Sequence, residues 1–384
     1  MIDFSYHNYT KLVFGKNTEE QVGALTARMG KKTLLHYGGG SVKASGLYDR
    51  VVQSLRAAGV DFVELGGAQP NPRLSLVREG IALCRREGVD SVLAVGGGSV
   101  IDSAKAIAAG AVYEGDVWDF FLKTAAPEGA LPVGVVLTIP AAGSETSMVS
   151  VVTNEATWMK QALHYPGIRP QFAVLNPELT YSLPPDQTAY GVSDMLAHVF
   201  ERYFSSTQGV DFTDRLCEGA IRSILHVAPN VLDQPMDYDT RANLMLAGCV
   251  AHGEILGVGR LGDWSSHQIG HALSAMYDLA HGATLSIIFP AWIRHVYREN
   301  MPLFVQWAQR VFDVDLTPAD PDAIVLEGVR RLEEFYRRMG LPVRLSDVGI
   351  DDTQFEALAD KVGFRGSVKM LTREDVLAIY RLAL

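Results

Sequence analysis

Ser91-Val92-Leu93-Ala94-Val95 runs directly into Gly96-Gly97-Gly98-Ser99-Val100. A short apolar run of strand character breaks into three glycines and then opens a helix. The same pentapeptide stands at Gly38-Gly39-Gly40-Ser41-Val42, directly after the β-rich run Thr33-Leu34-Leu35-His36-Tyr37. Glycines at such a turn let backbone pass close to an anion, and the exposed N–H groups of the following helix bind phosphate. Glycine-rich turns are common in α/β folds, so one alone would say little. Two identical turns at equivalent places point to a dinucleotide or another phosphate ligand. Neither matches Gly-x-Gly-x-x-Gly or Gly-x-x-x-x-Gly-Lys-Ser/Thr, which argues against a P-loop ATPase.

Working outward, Asp61–Leu65 and Val133–Leu137 also read as strands, while residues 45–58 and 72–87 show helical periodicity. Strand–helix alternation implies a doubly wound, mostly parallel sheet. After Leu183-Pro184-Pro185 the strand signals stop, and residues 186–384 read as successive helices, the stretch 311–340 among them. The expectation is an α/β nucleotide-binding domain over residues 1–182 and an all-α domain over 183–384. Composition fits a soluble globular protein, with 48% hydrophobic and 20% charged residues. A net charge of −10 argues against nucleic acid and anionic membrane as partners. No apolar run reaches the length of a membrane span, and Met1–His7 lacks the features of a signal peptide, so a cytoplasmic location is expected. Cys84, Cys217 and Cys249 are widely spaced in apolar surroundings and read as reduced core residues.

The helical half holds the chemistry-bearing residues. Asp194 and His198 are four apart, which puts them on one helix face, and His267 and His281 follow. An Asp and a His at this spacing are, taken alone, ordinarily a local hydrogen-bonded pair. Convergence of one carboxylate and three imidazoles amid apolar and glycine residues suits Zn²⁺ or Fe²⁺.

The ordered set Gly96–Lys105, Gly143-Ser144-Glu145-Thr146, Asp194-x₃-His198 and His267-x₃-His271-x₉-His281 resembles the metal-dependent, iron-containing (group III) alcohol dehydrogenases. The likeness runs from Tyr9 to the C-terminus and is strongest toward the butanol dehydrogenase and broad-range aldehyde reductase branch. It implies the dehydroquinate synthase-like fold: an α/β dinucleotide-binding domain, a helical metal-binding domain and an active site in the cleft between them. It also implies a homodimer. By position, Asp194, His198, His267 and His281 match the metal ligands, and His271 the histidine near the nicotinamide. Gly97, Gly98 and Ser99 match the pyrophosphate turn, with Asp102 on the helix that follows. Asn71, Thr138, Ser147 and Lys160 match cofactor contacts. One departure stands out: Ala141-Ala142-Gly143-Ser144-Glu145 replaces the family's frequent Gly-Thr-Gly-Ser-Glu.

The resemblance implies a Lewis-acid ion on the substrate oxygen and hydride transfer to or from nicotinamide C4. His271 suits two roles, moving a proton or only positioning groups by hydrogen bonds. For the cofactor, an NAD-selecting acid is expected after the second strand. Gly38, Gly39 and Ser41 occupy that place with Lys43 beyond, so NADP(H) is the expected preference, with NAD(H) as the alternative. Trp264, Ile255, Leu256 and Val258 near the metal favour a short- to medium-chain, uncharged alcohol or aldehyde. Rival readings are a polyol dehydrogenase, a dehydroquinate synthase-like lyase and a non-redox metal hydrolase. The lyase's phosphate-bearing substrate needs more cations than Arg260 and Lys160.

Overall fold

A computed structural model describes residues 1–315 and 320–384. Residues 316–319, inside the stretch 311–340 read as helical, lie outside the described residues. Two compact units form: His7–Leu183 with Met236–Cys249, and Met1–Tyr6 with Pro184–Pro235 and Val250–Leu384.

The first unit is α/β. Its strands are β1 (Lys11–Phe14), β2 (Lys32–Tyr37), β3 (Asp61–Leu65), β4 (Ser91–Gly96), β5 (Val133–Leu137), β6 (Val149–Asn154), β7 (Met159–His164) and β8 (Phe172–Leu175). Six of them make one parallel sheet in the order β1-β8-β5-β4-β2-β3, and β6 and β7 form a separate antiparallel pair. Side chains alternate across the sheet, so each strand feeds two cores. Leu34, Val92, Ala94, Val135 and Ala173 face one, which Leu74, Val77, Ile101 and Ile107 complete. Leu35, Leu93, Val95, Val136 and Val174 face the other, completed by Val51, Val52 and Leu55. The covering helices are α1 (Leu47–Ala57), α2 (Leu74–Glu87) and α3 (Gly98–Ala111). Helices over both faces confirm the doubly wound parallel architecture expected from the sequence. β2 and β4 are neighbours, while β3 lies beyond β2 and β5 beyond β4. The order therefore reverses between β2 and β4, and ligands of open α/β sheets bind at the carboxyl ends of such strands.

The second unit is helical. Its elements are α4 (Pro185–Tyr203), α5 (Asp211–Asp233), the end of α6 (Tyr238–His252), α7 (Ser265–Tyr277), α8 (His281–Val296), α9 (Met301–Phe312), α10 (Pro321–Arg338) and α11 (Arg373–Ala383). No strand follows Leu175 among the described residues. α4 starts with proline at its first position, where the missing N–H costs nothing. Met195, Leu196, Ala197, Val199 and Phe200 are all buried, so α4 is enclosed on every side. α5 and α8 pack against it. Beneath lies an aromatic core in which Phe204 stacks on Phe304 at 4.6 Å and meets Trp292 and Trp307.

Candidate metal and dinucleotide sites

α4 carries Asp194, His198 and Glu201 at i, i+4 and i+7, one polar stripe along the buried length of the helix. α7 brings His267 and His271, and α8 opens on His281. The start of α8 reaches α4 because of Gly282: a Cβ there would sit 2.1 Å from the Tyr190 carbonyl oxygen, one turn before Asp194. His281 Nε2 then lies 3.9 Å from Asp194 Oδ1. One ligand atom each from Asp194, His267 and His281 falls within 4.8 Å of the others.

His198 stands beside this trio, its ring 4.7 Å from that of His267. Its Nδ1 lies 2.8 Å from the Asp194 carbonyl and 3.1 Å from Asp194 Oδ1. A carbonyl can only accept, so Nδ1 carries a hydrogen, and in a neutral ring the lone pair is then on Nε2. His267 Nδ1 lies 2.7 Å from Glu201 Oε1, and an ionised Glu201, which only accepts, places a hydrogen on that nitrogen too. His271 is buried, with its ring 5.0 Å from His281 and 6.2 Å from His267.

This donor set fits a divalent ion. Carboxylate oxygen and neutral imidazole are the ligands such ions take, and donors at about 2.1 Å from an ion stand roughly 3.4 Å apart. The trio needs only a modest contraction to reach that spacing. A carboxylate on the far nitrogen of a ligating histidine is the usual support of such sites. Burial pushes Glu201 up to about 7, opposed by the backbone N–H groups of His267 and Trp264.

In the α/β unit, the two Gly-Gly-Gly-Ser turns flank the reversal point. A Cβ on Gly38 would lie 3.3 Å from the Ala68 carbonyl and 3.7 Å from Val100 of the other turn, whereas Gly39 and Gly40 face open space. Gly98 and Ser99 form the first turn of α3, which leaves first-turn N–H groups available to an anion. The Thr138 N–H donates to Gly96 O at 3.1 Å, setting Thr138 beside that turn. Lys160 Nζ donates to Asn71 Oδ1 at 3.0 Å, with Asn71 left-handed at φ 56°.

Two of the expected cofactor residues have internal work. Ser147 is fully buried, and its Oγ accepts from the Val149 N–H at 3.1 Å. Asp102 accepts from Ser144 Oγ at 2.6 Å and from the Val151 N–H at 3.0 Å. Lys105 donates to Ser144 O, Ser144 Oγ and Val149 O. Burial raises Asp102 above the ordinary carboxylate value, against the pull of Lys105 and Lys160. The altered Ala141–Glu145 loop is thus pinned through Ser144.

The premise behind the NADP(H) expectation needs correction. A carboxylate does stand by the first turn: Glu64, near the end of β3, lies 3.9 Å from Lys43 Nζ. Glu64 also accepts from Tyr37 Oη at 2.9 Å and Tyr48 Oη at 2.5 Å. Strand pairing of β2 with β3, invisible in the linear sequence, brings it there.

Comparison with known proteins settles the family. The iron-containing alcohol dehydrogenase model matches residues 9–177, and the C-terminal model of the Fe-containing alcohol dehydrogenase family matches 188–384. The chain belongs to the iron-containing alcohol dehydrogenase family. It is 44% identical, over the full length of both chains, to the probable NADH-dependent butanol dehydrogenase 1 of Bacillus subtilis. It is 36% identical to the NADPH-dependent aldehyde reductase YqhD of Escherichia coli, over 98% of this chain and 97% of the relative. The crystal structure of NADH-dependent butanol dehydrogenase A from Thermotoga maritima superposes with a TM-score of 0.96 at 39% identity, covering 100% of this chain and 99% of that one. As a member of this family the chain is an oxidoreductase, an alcohol dehydrogenase using a nicotinamide cofactor and a metal.

The sequence reading passed over Glu201, Glu64 and His252, whose ring meets His198 edge-on at 4.3 Å. Glu201 was detectable as the i+7 member of the Asp194–His198 stripe. His252 and Glu64 carry no such local signal.

Proposed function

We propose that the chain interconverts a short- to medium-chain aldehyde and its primary alcohol, with one divalent ion held by Asp194, His198, His267 and His281. The clustering of Asp194, His267 and His281 carries this reading. When bound, the ion would supply Lewis acidity at the substrate oxygen, and the nicotinamide would supply or receive the hydride. The chain's own part is placement. The Asp194 carbonyl and Glu201 accept from Nδ1 of His198 and His267, so that in the neutral rings Nε2 is the atom offered to the ion. Trp264, edge-on to His198 and His267 at 6.0 and 5.4 Å, walls the site with apolar surface that favours an uncharged substrate. His271, beside His281, takes the role of holding or passing a proton at its imidazole nitrogen.

Further support comes from what the lyase reading lacks. Arg260 is committed to Asp214 Oδ1 at 2.7 Å and to backbone carbonyls, and Lys160 to Asn71. Neither cation is free to hold a phosphate-bearing substrate.

For the cofactor we infer that NADH serves at least as well as NADPH. Glu64 neutralises part of the Lys43 charge and would repel a 2′-phosphate. The names of the Bacillus and Thermotoga relatives agree with NADH, and that of the Escherichia relative with NADPH. The buried, free thiols of Cys84, Cys217 and Cys249 suit a reducing cytoplasm.

The test is a panel of aldehydes, alcohols and polyols with both cofactors, after metal analysis. Oxidation of NADH or NADPH by butanal and its longer homologues is expected. Metal-loaded protein that turns over only polyols, or nothing, would overturn the proposal.

A further inference from the structure

Glu201 joins the two helices that carry the metal-binding residues. It is buried in α4, one turn beyond His198. Its Oε1 accepts from His267 Nδ1 at 2.7 Å and from the His267 backbone N–H at 3.1 Å. Its Oε2 accepts from the backbone N–H of Trp264. Trp264 is the residue that precedes α7, and it sits in the left-handed region at φ 64°, an uncommon conformation for a bulky side chain. The first turn of α7 therefore takes part of its cap from another helix. A carboxylate also opposes the positive end of the helix dipole there. Asp263 assists from the other side by accepting from the Ser265 N–H at 3.1 Å.

We propose that Glu201 is a positioning residue for the metal: it fixes the tautomer, ring angle and height of His267, and so sets metal affinity. The geometry has two parts that act together. The contact with Nδ1 requires the hydrogen on that nitrogen, which leaves Nε2 as the ligand atom. The contacts with the two backbone N–H groups fix where the first turn of α7 begins, and hence where the His267 Cα stands relative to α4. Because Asp194 and His198 lie on the same stripe of α4 as Glu201, one rigid helix sets the spacing among ligands on both helices. A glutamine at 201 could accept one of these bonds through its carbonyl but would turn an N–H₂ toward another donor.

The inference rests on the metal assignment above, and its test separates the two. Metal-free wild-type protein and the Glu201→Gln and Glu201→Asp variants are titrated with Co²⁺ against a chromophoric chelator, and the visible Co²⁺ spectrum is recorded for each. Wild type is expected to bind one Co²⁺. Glu201→Gln should weaken binding about 10- to 100-fold and change the ligand-field bands. Glu201→Asp, which keeps the charge, should recover part of the affinity. Unchanged affinity and spectrum in Glu201→Gln, with only a lower melting temperature, would reduce Glu201 to a helix cap and overturn the inference. Wild type that binds no Co²⁺ would instead overturn the metal assignment. Should both variants fail to fold, ¹⁵N NMR of the wild-type histidines decides. A His267 imidazole with hydrogen on Nδ1, in metal-free and loaded protein alike, supports the positioning role. A His267 with hydrogen on Nε2 refutes it.

Discussion

In the α/β unit the carboxylate of Asp102 lies near Lys105 and Lys160, and its acceptors are filled by Ser144 and the Val151 N–H. In the helical unit Asp194 and Glu201 face imidazoles instead: His198 and His281 around the first, His267 against the second. Both units bury acids, and these three differ in what they meet: Asp102 has lysines of its own unit beside it, whereas Asp194 and Glu201 have histidines. An acid matched by a lysine of the same chain is satisfied whether or not a ligand is present, and it supports the fold. An acid whose oxygen lies within 4.8 Å of ligand atoms from two histidines, as that of Asp194 does, is suited to receiving an ion. What the α/β unit could offer an anion is correspondingly backbone, the two glycine turns and the first turn of α3, while Asp102 and Lys105 brace the neighbouring loop.

The sharpest way to break this contrast is to remove a proposed ligand whose loss should not disturb the fold. His281 is partly exposed at the head of α8. His281→Ala should lower kcat/KM by about a thousandfold, the equivalent of roughly 4 kcal/mol of lost Lewis-acid stabilisation. The metal-free variant should melt close to metal-free wild type. Wild type should gain several degrees on adding metal, since saturation at about 100 times Kd is worth about 2.7 kcal/mol, and the variant should gain none. A variant that melts far below wild type before any metal is added would mean that His281 is a structural residue.

The converse substitution is Lys105→Met. Lys105 is fully buried, and its ammonium satisfies Ser144 O, Ser144 Oγ and Val149 O. Methionine fills much of the volume but strands those acceptors and leaves Asp102 short of a cation. Removing one partner from such a buried network costs about 3–5 kcal/mol. The loss should appear equally with and without metal when unfolding is followed by denaturant titration. Wild-type stability in Lys105→Met would show that the strut is dispensable.

The two units also differed in how openly they showed themselves in sequence. β4 and β5 were legible because central parallel strands are near-continuous apolar runs bounded by turn residues, and β2 and the edge strand β3 because their β-rich residues stand between turn residues. β1 and β8 are only four residues long, and β6 and β7 pair outside the main sheet with mixed burial, so none of the four announces itself. The candidate ligands of the helical unit were picked out because i, i+4 spacing survives in one dimension and because their ordered set matches a family. Glu201 stayed hidden: its partners Trp264 and His267 lie more than sixty positions away, and its role exists only once α4 and α7 meet. Glu64 was missed for the same kind of reason. Its relation to Lys43 is created by the register of β2 against β3, not by distance along the chain.

That pair supplies the smallest and most delicate prediction. Lys43 and Glu64 are both substantially exposed, with 52% and 37% of their side-chain surfaces open, so solvent screens whatever they do. Two hydroxyls, from Tyr37 and Tyr48, hold Glu64 in place, and Lys43 lies over both of those rings at about 5 Å. Glu64→Gln removes a negative charge from the neighbourhood of a 2′-phosphate and frees Lys43 to meet it. The ratio of kcat/KM for NADPH over NADH should then rise by about two- to fivefold. Lys43→Ala should move the same ratio down by a similar factor, leaving NADH nearly unaffected. Both shifts should shrink as salt is raised, because exposed charges are screened over about 10 Å at 0.1 M. If the ratio stays put in both variants at low salt, cofactor choice is made by the backbone of Gly38–Ser41 rather than by side-chain charge. The α/β unit would then keep its charged residues out of cofactor selection.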